Sequence, residues 1–268
     1  MAILIDYHIH TDNSFDSKAS MRSMCQRAIE LGITELAFTD HFNNHILDID
    51  LGYYNPDRFF EDVRICRQDF PTLTILAGIE VGEPHRWARK VQPVLARYPY
   101  DVVLGSLHWV GRENVFQPVY FRTRYPHQAY LEYFEELLNM VQTGDFDILA
   151  HVDLPKRLGY EIYKRFDIAE FEPQIRAIWQ VCIDRGITPE INTKALRMGV
   201  QELHPTPIAL EWYVEMGGRQ LTIGSDAHHT ASLASGIAEA VACATNAGLT
   251  HFCRYQQRQI VEWLPLKN

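Results

Sequence analysis

The sequence contains no apolar run of about 18 residues, so it predicts no membrane-spanning helix. Basic residues are a minority, 25 Lys and Arg against 34 Asp and Glu, and this balance argues against a nucleic acid as the main partner. It does not exclude a small phosphorylated substrate, because local metal ions can outweigh the charge of the whole protein. The N-terminus has neither a basic segment nor a long apolar segment, which predicts a cytoplasmic protein without a secretory leader.

Cysteines are few, and their spacing excludes the usual thiol sites. The five cysteines are scattered along the 268 residues, and no two of them form a C-x-x-C pair. Neither a disulfide framework nor a cysteine zinc site is therefore expected. The first predicted strand is also not followed by a glycine-rich turn, which argues against a dinucleotide site. The sequence leaves the oligomeric state open.

Short apolar runs alternate with helix-like segments along the whole chain. The runs cover residues 3–6, 35–39, 74–78, 101–105, 146–150, 187–191 and 220–224. Predicted helices cover residues 21–31, a segment that starts at 55–56, and residues 127–142, 172–185, 207–215, 235–247 and 256–262. This alternation predicts an α/β fold with a parallel sheet covered on both faces. A single barrel domain over residues 1–268 is favoured, with a doubly wound open sheet as the alternative.

Histidines and carboxylates follow six of the predicted strands. His8 and His10 lie two positions apart, so their side chains share one face of the extended chain. The others, in chain order, are Asp40, His41, Glu80, His108, His151, Asp226 and His228. The carboxyl ends of parallel barrel strands meet at one mouth, where we expect these groups to converge. Imidazole and carboxylate ligands without thiolates suit Zn, Mn or Fe, and more than four candidates imply several divalent ions.

Six short motifs together resemble the PHP (polymerase and histidinol phosphatase) family of metal-dependent phosphoesterases. They are Asp-Tyr-His-Ile-His-Thr, Phe-Thr-Asp-His, Gly-Ile-Glu-Val, Gly-Ser-Leu-His, Ala-His-Val-Asp and Ile-Gly-Ser-Asp-Ala-His, in this order. Ser-Phe-Asp-Ser and the segment 190–197 look most like the histidinol-phosphate phosphatases of that family. The Asp-Asp-Gly element typical of the related bacterial tyrosine phosphatases is missing, and the exonuclease domains of polymerases belong to far longer chains.

The resemblance implies a distorted (β/α)7 barrel of the PHP type with a trinuclear metal site. By motif, the first ion takes His8, His10, Glu80 and Asp226. The second shares Glu80 and adds His108 and His151. The third takes Asp16, His41 and His228, although Asp16 stands where some relatives have histidine.

The proposed chemistry assigns further residues to the substrate. A metal-bound hydroxide attacks the phosphorus in line, with Glu80 and Asp226 holding the ions. Arg197 is the preferred phosphate-binding cation because its guanidinium fork matches phosphate geometry. Lys156 and Arg157 could rim the phosphate site, although a solvated loop is the favoured interpretation of both. Asp153 could protonate the leaving alkoxide or, as favoured, orient a metal ligand. Glu113 could meet the substrate amine.

These expectations lead to hydrolysis of L-histidinol phosphate in histidine biosynthesis as the predicted function. A PHP phosphoesterase acting on phosphotyrosine or a nucleotide phosphate is the second interpretation. A non-catalytic metal-binding scaffold is the third, and the apparently complete set of ligands argues against it.

Overall fold

The computed structural model describes residues 5–266. In chain order the strands are β1 (Ile5–Ile9), β2 (Glu35–Phe38), β3 (His41–Phe42), β4 (Thr74–Gly82), β5 (Val102–Ser106), β6 (Trp109–Val110), β7 (Glu113–Asn114), β8 (Ile148–Leu149), β9 (Thr188–Asn192), β10 (Thr222–Gly224), β11 (His251–Gln256) and β12 (Gln259–Pro265). The helices are α1 (Met21–Leu31), α2 (Pro56–Asp69), α3 (Ala88–Arg97), α4 (Pro118–Arg122), α5 (Pro126–Thr143), α6 (Lys156–Tyr163), α7 (Glu172–Arg185), α8 (Pro207–Glu215) and α9 (Ile237–Asn246). Three short 3₁₀ helices cover Ile168–Phe171, Lys194–Arg197 and Thr230–Ser232.

Parallel strands form a nearly closed barrel, in the order β1, β2, β4, β5, β8, β9 and β10. The barrel approaches closure where β10 meets β1: a parallel bridge joins Ile9 to Ala227, and the His10 amide donates to the Ala227 carbonyl at 2.9 Å. The predicted α/β barrel of seven strands is therefore confirmed, and the open doubly wound sheet is excluded. Of the first predicted run, Ile3 and Leu4 lie outside the described residues.

Local sequence explains where the first helix begins and ends. The Ser20 side chain accepts a hydrogen bond from the Ser23 amide, which satisfies one of the free N–H groups at the start of α1. Gly32 ends the helix with φ 75°, a left-handed conformation that costs glycine little. The buried face consists of Met21, Met24, Cys25 and Ala28. This stripe packs α1 on the barrel, as the apolar spacing predicts.

The predicted helix over residues 256–262 is wrong. These residues belong to an antiparallel hairpin of β11 and β12. Gln257 and Arg258 connect the strands with φ 48° and 63°, the two consecutive positive values that a tight hairpin turn requires. The hairpin covers the lower end of the barrel, where the Cys253 amide donates to the Leu221 carbonyl at 2.8 Å. Tertiary contact, which a local pattern does not contain, therefore decides the conformation here.

Across residues 5–266, every helix is too short or too polar to cross a membrane.

Candidate metal centre

The predicted metal ligands gather at the carboxyl ends of the barrel strands. Each of them lies within 3.6 Å of at least one other through a nitrogen and an oxygen atom. They are His8, His10, Asp16, His41, Glu80, His108, His151, Asp226 and His228. Segments separated by more than two hundred residues thus contribute to one cluster, as expected for the mouth of a parallel barrel.

Glu80 occupies the centre of this cluster, near the end of β4. Its Oε1 lies 3.0 Å from His151 Nε2 and 3.6 Å from His108 Nε2. Its Oε2 lies 2.7 Å from His41 Nδ1 and 3.4 Å from His8 Nε2. Burial alone would raise the pKa of Glu80, but His41 and His8 hold the pKa well below its usual range. The carboxylate is therefore ionised and can offer its two oxygens to two cations.

Hydrogen bonds fix the orientation of the His8 ring. His8 Nδ1 lies 2.7 Å from Glu190 Oε1 on β9, and an ionised carboxylate can only accept a hydrogen bond. The ring therefore carries its proton on Nδ1 and turns the lone pair of Nε2 toward the cluster. This carboxylate–imidazole pairing is the usual support of a metal-binding histidine.

His10 is oriented in the same way through a serine. The Ser14 hydroxyl donates to Asp40 Oδ1 at 2.6 Å, so its single proton is already used. His10 Nδ1, 3.2 Å from Ser14 Oγ, must then be the donor of that hydrogen bond. Its Nε2 consequently carries a lone pair that points into the cluster, where Asp226 Oδ1 lies 3.5 Å away. Both histidines of the H-x-H motif are thus prepared to bind a cation.

Several buried polar atoms of the cluster have no hydrogen-bond partner among the described residues. They are Nε2 of His8, His10 and His228, Nδ1 of His41 and His151, and Oε2 of Glu80. A buried polar atom without a partner costs about 1–3 kcal/mol, so their accumulation in one place calls for a ligand. The residues therefore fit divalent metal ions, which imidazole nitrogens and carboxylate oxygens bind readily.

Three groups of side chains have donor atoms close enough together to hold an ion. They are His8, His10 and Asp226; His8, Glu80 and His151; and His10, His41 and His228. The atoms within each group lie within 4.8 Å of one another. The groups share members, as expected when neighbouring ions have common ligands. Divalent metal use is thus supported by the donor set, while the number of ions stays a prediction.

Asp16 borders the cluster on its open side. Its Oδ2 lies 3.0 Å from His228 Nε2 and 3.6 Å from His41 Nε2, and its side chain is 51% exposed. His41 and His228, which both face this carboxylate, hold the pKa of Asp16 well below its usual range, against the effect of burial. The structure thus brings Asp16 to the place that the resemblance implies, and its role as a ligand stays a prediction.

Two of the predicted ligands have an unusual backbone conformation. His151 has φ 24° and Asp226 has φ 52°, in the left-handed region that non-glycine residues rarely adopt. The amide of His151 donates to Glu190 Oε2 at 2.9 Å, which stabilises the backbone at this position. Such conformations concentrate at functional sites, where surrounding contacts hold them in place.

Gly224 lets the first and last barrel strands approach each other at the site. A Cβ at this position would overlap His8 Cβ and Glu190 Oε1. Gly224→Ala is therefore expected to displace the His8 ring and to lower kcat/KM for phosphate ester hydrolysis by at least about tenfold. Steady-state kinetics, together with elemental analysis of bound metal, measure both effects.

Gly199→Ala is the matched control for this prediction. A Cβ at Gly199 meets its nearest atom, Glu161 Oε1, at 3.6 Å, an ordinary contact distance. This variant should keep the activity of the wild type. If Gly224→Ala also keeps full activity and metal content, the close packing of His8 on β10 has no functional role.

Two cations contact the cluster among the described residues, and one of them, Arg157, is a predicted substrate residue. Arg157 Nη2 donates to Asp226 Oδ2 at 3.0 Å, and Lys194 Nζ donates to Asp226 Oδ1 at 3.0 Å. Arg197 donates to the carbonyl oxygens of Ser225 and Ser235, and it lines a separate cavity beside Asp226. The preference for Arg197 as the phosphate-binding cation stays a prediction.

Lys156 is also placed differently from both interpretations of the sequence. It is neither in a solvated loop nor at a phosphate site, because it begins α6 and its side chain is fully buried. Its ammonium contacts Asp153 Oδ2 at 2.9 Å and Thr206 Oγ1 at 2.9 Å. Arg157 follows it in the same helix and is also buried. The predicted loop is therefore the start of a helix, where Lys156 forms a buried ion pair that no local sequence pattern indicates.

Glu113 and Asp153 are absent from the described linings of the two cavities that border the cluster. The Glu113 carboxylate, on β7, is paired with Arg124 Nη2 and lies outside the cavities that border the cluster. Asp153 is fully buried and accepts hydrogen bonds from His204, Lys156 and Thr206. Protonation of a leaving group by Asp153 is therefore incompatible with its surroundings, and a supporting role fits.

Sequence reasoning missed several residues that support the cluster. They are Ser14, Glu190, Asn192, Lys194 and His204. Glu190, Asn192 and Lys194 lie in the segment 190–197, on which the resemblance to the phosphatases partly rests. Glu190 and Asn192 alternate at the end of β9, which places them on one face, and Lys194 begins the 3₁₀ helix that follows. This pattern is the signal that could have identified them.

Two adjoining cavities with different charged side chains open onto the cluster. The first, about 300 Å³, includes the cations Arg157 and Lys194 in its lining, beside Glu161 and carboxylates of the cluster. The second, about 180 Å³, includes the carboxylates Asp48 and Asp50, and neither Lys nor Arg is in its described lining. The two cavities share Asp16, His41, His108 and Phe116. One cleft therefore has two cations at one end and an acidic end beyond the shared histidines.

The acidic end contains a buried carboxylate oxygen without a hydrogen-bond partner among the described residues. Asp50 Oδ2 accepts from Asn43 Nδ2 at 2.9 Å, whereas Asp50 Oδ1 has no partner among the described residues. Burial and the neighbouring carboxylate of Asp48 raise the pKa of Asp50 to about 6. Above that pH the side chain is ionised and attracts a cation.

Comparison with known proteins gives consistent similarities over the chain. A sequence profile of the PHP domain matches residues 6–194. A probable histidinol-phosphatase of Clostridium acetobutylicum is 27% identical over 260 residues, which cover 92% of this chain and 95% of that protein. The histidinol-phosphatase of Lactococcus lactis subsp. lactis is 25% identical over 226 residues, 84% of each chain.

A solved structure has the same fold. The crystal structure of histidinol phosphate phosphatase from Lactococcus lactis, complexed with zinc, L-histidinol and phosphate, superposes with a TM-score of 0.86 and 23% sequence identity. The superposition covers 96% of this chain and 98% of that one. At this identity the likeness establishes the barrel fold.

Proposed function

Because this chain belongs to the PHP domain family, we propose that it is a metal-dependent phosphoric monoester hydrolase that converts L-histidinol phosphate to L-histidinol and phosphate in histidine biosynthesis. Its relatives named histidinol-phosphatase match most of its length. The observation that carries the proposal is the cleft with two cations, Arg157 and Lys194, at one end and the acidic residues Asp48 and Asp50 at the other. L-Histidinol phosphate has a dianionic phosphate at one end and an amine with an imidazole at the other.

The metal ions are zinc, manganese or iron, in three sites. His8, His10, Glu80 and Asp226 would hold the first; Glu80, His108 and His151 the second; Asp16, His41 and His228 the third. When bound, the ions supply charge neutralisation and a water molecule of lowered pKa as the nucleophile. The related Lactococcus lactis enzyme was solved in complex with zinc, L-histidinol and phosphate, which supports zinc as one of these metals.

Protein cations would bind the phosphate group. Arg157 and Lys194 line the larger cavity and lie on either side of Asp226. A guanidinium offers paired N–H donors that match phosphate oxygens, and the ammonium adds a second charge. Preorganised positive charge of this kind stabilises the additional charge of the transition state without reorganisation.

The acidic end would select the substrate. Asp50 Oδ1 is available to accept a hydrogen bond from the ammonium group, and Phe116, 44% exposed, lines both cavities and offers an aromatic face to the imidazole. Phosphate esters without a cationic group gain nothing from Asp50. Preference for L-histidinol phosphate would thus arise from the acidic end, while the chemistry takes place at the clustered histidines.

Asp50→Asn tests this division of roles. Removing the carboxylate charge is expected to lower kcat/KM for L-histidinol phosphate by about tenfold to a hundredfold, because a hydrogen bond to a charged group contributes about 1.5–3 kcal/mol. Hydrolysis of an aryl phosphate without a cationic group should change by less than about threefold, since that substrate makes no such contact. Steady-state kinetics with both substrates give the comparison.

The control is Asp184→Asn, an exposed carboxylate on α7 that accepts only from Gln180. This variant should behave as the wild type with both substrates. Equal losses on both substrates in Asp50→Asn would refute a role of Asp50 in substrate selection.

The wild-type protein tests the substrate itself. Faster hydrolysis of phosphotyrosine or a nucleotide phosphate than of L-histidinol phosphate would refute the proposed substrate. The absence of any phosphatase activity with divalent metal would favour a non-catalytic protein.

A further inference from the structure

A buried chain of side chains connects the phosphate cavity with the interior of the protein. Arg157 Nε lies 2.9 Å from His204 Nε2, and His204 Nδ1 lies 2.5 Å from Asp153 Oδ1. Arg157 is 4% exposed, and the other two residues are fully buried. These three residues lie outside the predicted set of metal ligands, so the two contacts between them need an explanation of their own.

The chemistry of the two partners determines the direction of both hydrogen bonds. A guanidinium group only donates, so His204 Nε2 must accept the hydrogen bond from Arg157 Nε. The single proton of the neutral ring therefore lies on Nδ1 and is donated to Asp153 Oδ1. Burial lowers the pKa of His204 to about 3 against the opposing effect of Asp153. The ring is thus neutral near pH 7 and is held in one tautomer.

Asp153 is fixed from its other side. Its Oδ2 accepts from the Thr206 amide at 2.8 Å, the Thr206 hydroxyl at 2.8 Å and Lys156 Nζ at 2.9 Å. The backbone of His204 is also fixed, because it exchanges hydrogen bonds of 2.7 and 2.9 Å with Asn192 on β9. The imidazole therefore has little freedom to move, and its Nε2 is a rigid acceptor.

The guanidinium of Arg157 also contacts the metal cluster, through Nη2. Arg157 Nη2 donates to Asn192 Oδ1 and to Asp226 Oδ2, each at 3.0 Å. The same residue lines the cavity of about 300 Å³. Rotation of the guanidinium would break the contact with Asp226 and turn the donors away from a bound phosphate. His204 Nε2 is the acceptor that opposes this rotation.

We infer that His204 is a positioning residue, which fixes the guanidinium plane of Arg157 through Nε2 while Asp153 holds the required tautomer. The inference rests on the proposed function, because it assigns the phosphate to Arg157. It adds a residue from the loop before α8 to the phosphate-binding machinery, although that residue touches neither metal nor substrate. Asp153 and Lys156 then have a common role, because together they hold the His204 ring in place.

Two substitutions at the same position separate the two hydrogen bonds. In His204→Gln, the amide oxygen can replace Nε2 as the acceptor for Arg157. In His204→Asn, the amide nitrogen can replace Nδ1 as the donor to Asp153, but the acceptor for Arg157 is lost. If His204 acts through Arg157, the glutamine variant should retain kcat/KM for an aryl phosphate within about fivefold, and the asparagine variant should lose about thirtyfold to a hundredfold.

Binding of inorganic phosphate to the zinc-loaded protein gives a second readout. Inhibition by phosphate should weaken about tenfold in His204→Asn and stay near the wild-type value in His204→Gln, because one good phosphate contact is worth about that factor. Zinc content and melting temperature should be similar in the two variants. If both variants lose activity equally in proportion to a loss of melting temperature, His204 has a structural role only and the inference is overturned.

A spectroscopic measurement on the metal-free full chain tests the tautomer directly. Long-range ¹H–¹⁵N correlation spectra should show His204 protonated at Nδ1 and unprotonated at Nε2, near pH 7. A proton on Nε2 would contradict the inference. These outcomes are independent of the substrate: a wild-type protein without phosphatase activity would refute the proposed function, whereas the tautomer and phosphate binding would still decide the role of His204.

Discussion

Glu80→Gln is expected to lower kcat/KM for phosphate ester hydrolysis by about a thousandfold, a loss of roughly 4 kcal/mol in transition-state stabilisation. Both carboxylate oxygens of Glu80 lie against histidines, with His151 on one side and His41 on the other. A glutamine offers one weaker acceptor, and its amide would direct N–H groups at atoms that should bind cations. Steady-state kinetics and elemental analysis should therefore show joint losses of activity and bound metal.

The size of this effect follows from the burial of the group. Glu80 is completely buried, and its negative charge offsets the positive charge of the ions that the cluster would hold. Removing one partner from a buried set of charges leaves the others uncompensated, which costs more than losing a surface ion pair. A variant that loses activity but keeps all its metal would instead indicate a role in the chemistry other than bridging.

The control is Glu30→Gln, which removes the same charge from the surface of α1. The Glu30 carboxylate is 51% exposed and pairs with Arg27. Its substitution should leave the kinetics and the metal content unchanged. Full activity in Glu80→Gln would contradict the assignment of Glu80 to the metal cluster.

Removal of divalent metal by a chelator is expected to abolish activity and to lower the melting temperature. Without cations, the buried donor atoms of His8, His10 and Glu80 remain unpartnered. Glu190 and Glu80 raise the pKa of His8 well above its usual range, against the effect of burial, so a proton competes with the metal at this ring. A ligand present at a thousand times its dissociation constant stabilises the folded state by about 4 kcal/mol, so the shift should be large. Thermal denaturation and a phosphate-release assay measure the two effects.

Adding metals back gives the control. Zinc, manganese or iron should restore activity and melting temperature, because imidazole ligands suit these ions. Magnesium should restore little, since it prefers oxygen ligands and octahedral geometry. A chelated protein that keeps its activity and melting temperature would contradict metal dependence.

The sequence predicts the barrel and its mouth because both depend on patterns that recur along the chain. Apolar runs such as residues 35–39 specify buried parallel strands, and polar side chains directly after them mark the carboxyl ends. The sequence alone therefore suffices to place His8 and Glu80 in one cluster. The hairpin of β11 and β12 could not be predicted in this way, because its conformation depends on packing beneath the barrel.

The substrate side of the site was harder to predict than the cluster. Lys156 and Arg157 are adjacent in the sequence, yet only Arg157 lines the cavity, because a helix turns successive side chains in different directions. The sequence also does not show that Lys194, beside the predicted Arg197, contacts Asp226. Both cations lie in one short 3₁₀ helix, and the carbonyl oxygens of a distant segment, at Ser225 and Ser235, bind Arg197.

The location of bound metal tests the account most directly. Anomalous diffraction at the zinc absorption edge, from crystals of the zinc-loaded full chain, should show strong peaks at the carboxyl ends of the barrel strands. Peaks about 2.0–2.2 Å from Nε2 of His8 and His10 and from the carboxylates of Glu80 and Asp226 are the predicted result. Zinc bound only at surface residues, with these imidazoles contacting no ion, would contradict it.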